Sequence, residues 1–373
     1  MRWLLLPAVL LAVPAPCQAQ DAGPLRSDPY RGMAREVHER LENVGYQVFV
    51  SHRGRAVLDA QFGFARLEDS VPVARDTRFL IMSVTKPFTG AALVKAVTAG
   101  LLDLDEPIGR YVHDYPPGRD PNMTLRSLAA HTAGAPHFNH PARKALYVQH
   151  FRDATAAIGA IRDSALTHDP GTAYEYSSSN YNLIAAALEK VSGQPFAVFL
   201  DSAVLQPLSL GDTELLDVQR PTPRLARNYT LFDLWTYADL DELQIVPTWD
   251  YSFNPAGGGM ISTASDLARF GEAFLEPGFF TADELNLFYT VISADPESPW
   301  SFGWFVGEND SGTRQIRISG ATQGVMASLY VWPDEGIVGA AIVNSWTREA
   351  RDGELVFAGL ERIMSAYLEE QTN

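Results

Sequence analysis

A serine and a lysine three residues apart, Ser83 and Lys86, stand in the stretch Ile81-Met82-Ser83-Val84-Thr85-Lys86-Pro87-Phe88-Thr89-Gly90. Residues three apart on a helix share a face, so the lysine amine can reach back to the serine hydroxyl. A serine hydroxyl is a poor nucleophile until a base takes its proton, and a lysine held in apolar surroundings can lose its own proton and act as that base. Arginine cannot substitute, because it stays charged in proteins. The chain has four lysines against twenty-five arginines and no other Ser-x-x-Lys, so the pair is not background from a lysine-rich composition.

The elements that must position this pair can be read from hydrophobic period and punctuation. Pro87 suits a first helical turn and Gly100 a C-cap; between them only Thr89, Lys95 and Thr98 are polar. The pattern predicts a largely buried helix starting near Ser83, with the serine at its N-terminus. Upstream, Ser27–Asn43 carries Met33, Val37 and Leu41 at helical spacing and reads as an amphipathic helix ended by Gly45. Tyr46–Val50 and Arg55–Phe64 then flank Arg53-Gly54 as a hairpin.

From Leu101 to about Phe280 the pattern is loop-broken and mostly helical, at Leu125–Ala130, Ala154–Leu166, Tyr181–Val191, Pro195–Val204 and Ala264–Phe274. Strand signals return only near the end, at Trp300–Gly307, Arg314–Ser319, Val325–Trp332 and Ile337–Asn344, followed by a closing helix over Glu354–Glu369. The expected fold is α/β (α+β): an antiparallel sheet built from both chain ends and flanked by helices, with a mostly helical domain inserted. Residues 20–80 and 285–373 make the sheet-and-helix domain, and 81–284 the helical domain carrying the nucleophile.

Met1-Arg2 followed by the apolar run Trp3–Ala15 reads as a secretory signal peptide, residues 1–19, because the run is too short to cross a bilayer and Cys17-Gln18-Ala19 offers a small-residue cleavage site. An exported protein, periplasmic or secreted, is expected, with lipid attachment through Cys17 as the alternative. Cys17 is the only cysteine, so the mature protein has no disulfide. The net charge of −16 argues against nucleic-acid binding, which needs a basic surface. No other apolar run is long enough to predict stable membrane insertion, and nothing in the sequence assigns an oligomeric state.

Further residues extend the pattern around Ser83. Gly100-Leu101-Leu102-Asp103-Leu104-Asp105-Glu106-Pro107, Leu128-Ala129-Ala130-His131-Thr132-Ala133-Gly134, Pro170-Gly171-Thr172-Ala173-Tyr174-Glu175-Tyr176-Ser177-Ser178, Glu189-Lys190-Val191-Ser192-Gly193-Gln194-Pro195-Phe196 and Pro255-Ala256-Gly257-Gly258-Gly259-Met260-Ile261-Ser262-Thr263-Ala264 occur in this order. Together with Ser83-x-x-Lys86 they resemble the serine β-lactamase-related family, which includes class C β-lactamases, D-alanyl-D-alanine carboxypeptidases and esterases. The resemblance implies a β-lactamase/transpeptidase-like fold and an acyl-enzyme on Ser83, with Lys86 as its partner base or proton relay.

The resemblance also implies a Tyr-x-Asn element, which falls on Tyr176 and Ser178. Tyr176 keeps the tyrosine, and an ammonium nearby would lower its pKa and suit it to general acid and base work. Ser178 replaces the asparagine among the substrate-binding residues, which argues against a well-tuned β-lactamase. The third element, a Lys or His followed by Thr or Ser and Gly, becomes Ile318-Ser319-Gly320. Its missing base should weaken recognition of substrates that carry a carboxylate, such as penicillins and D-Ala-D-Ala peptides. Arg317 would face the opposite side of the strand and cannot stand in. By resemblance, Ser319 and Gly320 line the substrate, and the Ala321 N–H joins the Ser83 N–H as the oxyanion hole.

These departures point to a serine hydrolase of the esterase or amidase kind, acting on a small-molecule or peptide ester or amide. The alternatives are a β-lactamase or carboxypeptidase that tolerates Ile318, and a catalytically silent binding protein on the same fold. Phe232, Trp235, Tyr237, Trp249 and Tyr251, in a loop-like setting from Leu231 to Tyr251, are candidates for an apolar pocket or for packing. His131, His137 and His140 cluster but lack a His-Glu-x-x-His pattern, so neither a metal nor another cofactor is expected. No Gly-x-Ser-x-Gly elbow occurs, which removes the ordinary α/β-hydrolase alternative.

Overall fold

In a computed structural model, residues 29–372 are described apart from 114, 116–120, 139–142, 294 and 350–353. The signal-peptide reading, Cys17, Ser27 and His140 therefore lie outside the described residues. The main element is an eight-stranded antiparallel sheet built from both chain ends. Its strands run in the order Val71–Pro72, Arg55–Arg66, Gly45–His52, Ile337–Val343, Val325–Trp332, Arg314–Thr322, Trp304–Glu308 and Trp300–Ser301. The first and last parts of the chain meet where Tyr46 pairs with Val343 and His52 with Ile337.

Two central strands, Val325–Trp332 and Ile337–Val343, are buried along their whole length because both faces of the sheet are covered. On one face lie the helices Pro29–Arg40 and Glu354–Thr372, packed so closely that a methyl on Gly339 would meet Met364 and Leu360. On the other lies Ala264–Glu272, where Gly271 faces Val338, Leu329 and Val331. The serine-bearing helix is the centre of the inserted region: Thr85–Val94 is buried throughout. The Phe302-Gly303 bend crosses it at two places. A methyl on Gly90 would come within 2.0 Å of the Phe302 carbonyl oxygen, and one on Gly303 within 2.5 Å of the Pro87 nitrogen.

Several elements differ from the sequence reading. The first helix ends at Arg40, and Gly45 opens the next strand, since its Cα sits against the Phe64 carbonyl where a side chain would not fit. The expected helix Ala154–Leu166 is one α-turn, Ala154–Ala157, and a 3-10 turn, Ile158–Ala160, because only Ala154, Ala157, Ile158 and Ile161 find a core to enter. Strands are not confined to the chain ends. Asn228–Phe232 and Asp239–Val246 form a hairpin where a loop was expected, and Ser345–Trp346 pairs with it in parallel. Among the described residues, no single helix is long and apolar enough to cross a membrane.

Candidate active site

The nucleophile candidate is presented by a short strand and a sharp turn. Phe79–Leu80 pairs with Met260–Ser262, and the Ile81 N–H donates to the Met260 carbonyl at 3.1 Å. A 3-10 turn over Met82–Val84 follows, and the α-helix proper begins at Thr85. Met82 takes a left-handed φ of 46°, a strained conformation for a side chain with a Cβ. The result is selective exposure: from Thr77 to Val94, Ser83 alone is partly exposed.

Lys86 is fully buried, and its Nζ has three partners: Ser83 Oγ at 3.1 Å, Ser178 Oγ at 3.0 Å and the Gly257 carbonyl at 2.7 Å. Burial pushes its pKa well below the ordinary lysine value and so favours the uncharged amine. An uncharged amine has two N–H groups and one lone pair. Because the Gly257 carbonyl can only accept, one N–H goes there, the other to Ser178, and the lone pair is left for the Ser83 hydroxyl. After taking that proton, the ammonium has three N–H groups for the same three acceptors. Both protonation states are thus accommodated without moving an atom.

The Gly257 carbonyl is aimed by its neighbours. Thr89 Oγ1 donates to the Ala256 carbonyl at 2.8 Å, and Asn182 spans the loop by accepting from the Ala256 N–H and donating to the Phe253 carbonyl.

Tyr176 donates its phenolic proton to Ser83 Oγ at 2.7 Å. Its pKa is not lowered, as the sequence reading expected. Burial raises it, against the hydrogen bond to Ser83 that pulls the other way. The physical reason is that the phenol itself is buried, which penalises the charged phenolate. Its ring is held between His131, at 4.5 Å between centroids, and Trp300, edge-on at 5.7 Å. Buried His131 accepts at Nδ1 from the Ser177 N–H and from the Asn180 amide, which places its own proton on Nε2. Burial keeps this imidazole neutral.

The two remaining elements lie on either side of this centre. Ser178 is buried, and its N–H donates to His137 Nδ1 at 3.1 Å. On the far side, the sheet strand Arg314–Thr322 loses its neighbour Trp304–Glu308 after the pair Arg317–Phe305, so residues 318–322 have one free edge. Counting back from the two-residue turn Gln323-Gly324, antiparallel alternation turns the N–H groups of Ser319 and Ala321 toward that edge. A methyl on Gly320 would lie 2.5 Å from the Ser83 nitrogen, so the strand backbone and the nucleophile's backbone are in contact. Ser319 and Ala321 are exposed and Ile318 is buried in the core. Arg317 lies on the other face, where its charge acts on Glu361 of the closing helix.

The aromatic candidates divide. Phe232 is buried against Trp346 and Tyr251 is buried beside Phe253, both as packing, whereas Trp235 and Tyr237 are exposed. Gln323, two residues past Ala321, ties that turn to the strand by donating to the Leu234 carbonyl and Tyr237 hydroxyl. No cluster of three metal-ligating side chains exists among the described residues. His131, Asn180, Asn182 and Trp300 were not foreseen as parts of the site. The Leu128–Gly134 signature contained the first of them, and only the fold shows what that segment touches.

A buried amine and a phenol converging on one partly exposed serine hydroxyl, beside the free edge of a strand, define a serine-nucleophile site that needs no histidine base. The chain belongs to the Beta-lactamase family of serine hydrolases, whose model matches residues 33–361. It is 23% identical over 413 aligned residues to the human serine beta-lactamase-like protein LACTB, mitochondrial, covering 86% of this chain and 74% of that one. To esterase EstB of Burkholderia gladioli it is 26% identical, over 70% of this chain and 74% of the esterase. The crystal structure of D-amino acid amidase from Ochrobactrum anthropi SV3 complexed with L-phenylalanine has the same fold, with a TM-score of 0.80 at 22% identity over 93% of this chain and 100% of that one.

Proposed function

We propose that the protein is an exported hydrolase that cleaves esters or amides lacking a carboxylate next to the scissile bond, through an acyl-Ser83 intermediate. The observation that carries this is the contact of Ser83 Oγ with buried Lys86 Nζ at 3.1 Å and with the Tyr176 hydroxyl at 2.7 Å. In acylation the Ser83 oxygen bonds to the substrate carbonyl carbon as its proton passes to the Lys86 lone pair. The new oxyanion lies against the N–H groups of Ser83 and Ala321. Tyr176 then gives its phenolic proton to the leaving group as the carbonyl–leaving-group bond breaks.

Buried Ile318 supports the restriction on substrate, because it occupies the position from which a cation would pair with a carboxylate. The likeness to an esterase supports the ester arm. The apolar run Trp3–Ala15 behind Met1-Arg2 supports export. The test uses purified protein with a fluorophosphonate probe, a short p-nitrophenyl ester and nitrocefin, next to Ser83→Ala. Labelling and ester turnover that vanish in the variant, without nitrocefin turnover, are expected. Absence of labelling would leave a binding protein, and rapid Ser83-dependent nitrocefin turnover would make it a β-lactamase.

A further inference from the structure

Two members of the histidine cluster, His131 and His137, take no part in the acylation steps above. They belong to a stretch, residues 131–138, that holds no helix or strand, and neither does the stretch 173–177 that carries Tyr176. Irregular backbone of this kind takes its position from bonds to its neighbours and not from a ladder of its own. Here the two stretches are laced together. The Gly171 N–H donates to the Thr132 carbonyl at 2.7 Å, the Glu175 N–H to the His131 carbonyl at 2.9 Å, and Ser179 Oγ to the Pro136 carbonyl at 2.6 Å.

The two N–H groups that follow Tyr176 go to imidazoles instead. The Ser177 N–H donates to His131 Nδ1 at 3.2 Å, and the Ser178 N–H to His137 Nδ1 at 3.1 Å. A backbone N–H can only donate, so each ring offers a lone pair at Nδ1 and carries its proton on Nε2. Both serines are under a tenth exposed, where an N–H without an acceptor is costly. His131 also takes a left-handed φ of 60°, a strain that persists only where the surroundings over-determine a residue. It is enclosed in the aromatic core, whereas His137 is partly exposed, its ring edge-on to that of Tyr176 at 6.1 Å between centroids.

Resting on the hydrolase reading above, we propose that His137 is a positioning residue for that reaction, acting as the acceptor that fixes the backbone of residues 176–178. This short segment carries two groups of the site: the Tyr176 hydroxyl at 2.7 Å from Ser83 Oγ, and Ser178 Oγ at 3.0 Å from Lys86 Nζ. His131 anchors it on both sides of Tyr176, and His137 anchors the next residue. Without the second anchor the Ser178 N–H must turn toward another acceptor, and the phenol and the Ser178 hydroxyl move with it. Ser83 and Lys86 stand on a different element and stay in place, so the loss falls on kcat.

The test replaces His137 by two side chains that separate an acceptor from bulk. Asparagine puts an oxygen acceptor as many bonds from its Cα as Nδ1 is in histidine; leucine fills space and accepts nothing. kcat and KM on a p-nitrophenyl ester are measured beside thermal melting. His137→Leu should lose about a hundredfold in kcat with KM changed by less than about threefold, and His137→Asn should recover to within about fivefold of wild type. A folded leucine variant as active as wild type, or a folded asparagine variant no better than leucine, would overturn the positioning role. If the leucine variant does not fold, the asparagine variant decides alone: recovery to the same margin supports the acceptor, and a loss of about a hundredfold overturns it. A wild type inert toward every ester would overturn the hydrolase reading itself, and the role of His137 with it.

Discussion

The two walls of the Ser83 cleft are built to opposite rules. The helical wall concentrates polar groups in a buried space: Lys86, Ser177, Ser178, Asn180, Asn182 and His131 are each under a tenth exposed and are held by named hydrogen bonds. The strand wall, Ile318 to Ala321, has no charged side chain and offers backbone and small groups along a free edge. Burial lowers the pKa of Lys86 and raises that of Tyr176, which favours the amine and the phenol in the first wall. The second wall can hold a substrate by main-chain bonds but cannot select one by charge. Under the proposed hydrolase reading, chemistry and recognition would be set by different parts of the chain and could be altered separately.

The largest effect should follow removal of the base from the polar wall. Lys86→Met is expected to lower kcat/KM on a p-nitrophenyl ester by about 10⁴-fold, near the top of the range for general-base catalysis. Wild-type activity should fall as the solution is acidified and Lys86 becomes protonated. The same residue predicts a stability signature. Its folded pKa is depressed below the ordinary 10.5, so between those two values the unfolded chain binds the extra proton. Wild-type stability should therefore rise with pH in that window relative to Lys86→Met, by at most about 1.4 kcal/mol per pH unit, as read by urea unfolding. A flat difference would mean that Lys86 is charged when folded.

Tyr176→Phe should cost about 10³-fold in kcat/KM with little change in melting temperature, since the ring and its packing on His131 and Trp300 are kept. On the strand wall, Gly320→Ala forces the backbone away from the Ser83 nitrogen, and a displacement of that kind should lower kcat by about 10²-fold. The smallest effect sharpens the comparison most. Ile318→Lys should improve kcat/KM for an ester bearing a nearby carboxylate by about tenfold relative to its neutral counterpart. If both substrates respond alike, charge on the strand wall does not govern selection.

Much of this was readable before any coordinates, and what was not has definite causes. The serine helix announced itself because Pro87, Gly100 and a nearly unbroken apolar run all agree, and the central strands Val325–Trp332 and Ile337–Val343 because their near-continuous apolar runs match a sheet covered on both faces. The Asp239–Val246 strand was missed because nearly all of it is exposed, so no buried face imprints a period of two on its sequence. The sequence singled out Ser83, Lys86 and Tyr176, which the structure brings within hydrogen-bonding distance. The direction of the Tyr176 pKa was not legible, because the burial of the phenol decides it.

The crossing of the Phe302-Gly303 bend over the serine helix bears on how such a protein changes with time. At Gly90 and Gly303 even a single added carbon would collide with main chain, and the crossing lies within four residues of Lys86 in sequence. Natural drift or a laboratory library that samples these two positions should return almost nothing alive. New substrate preferences would have to be written in the Trp235–Tyr237 turn and the exposed strand residues, where there is room for letters to be exchanged.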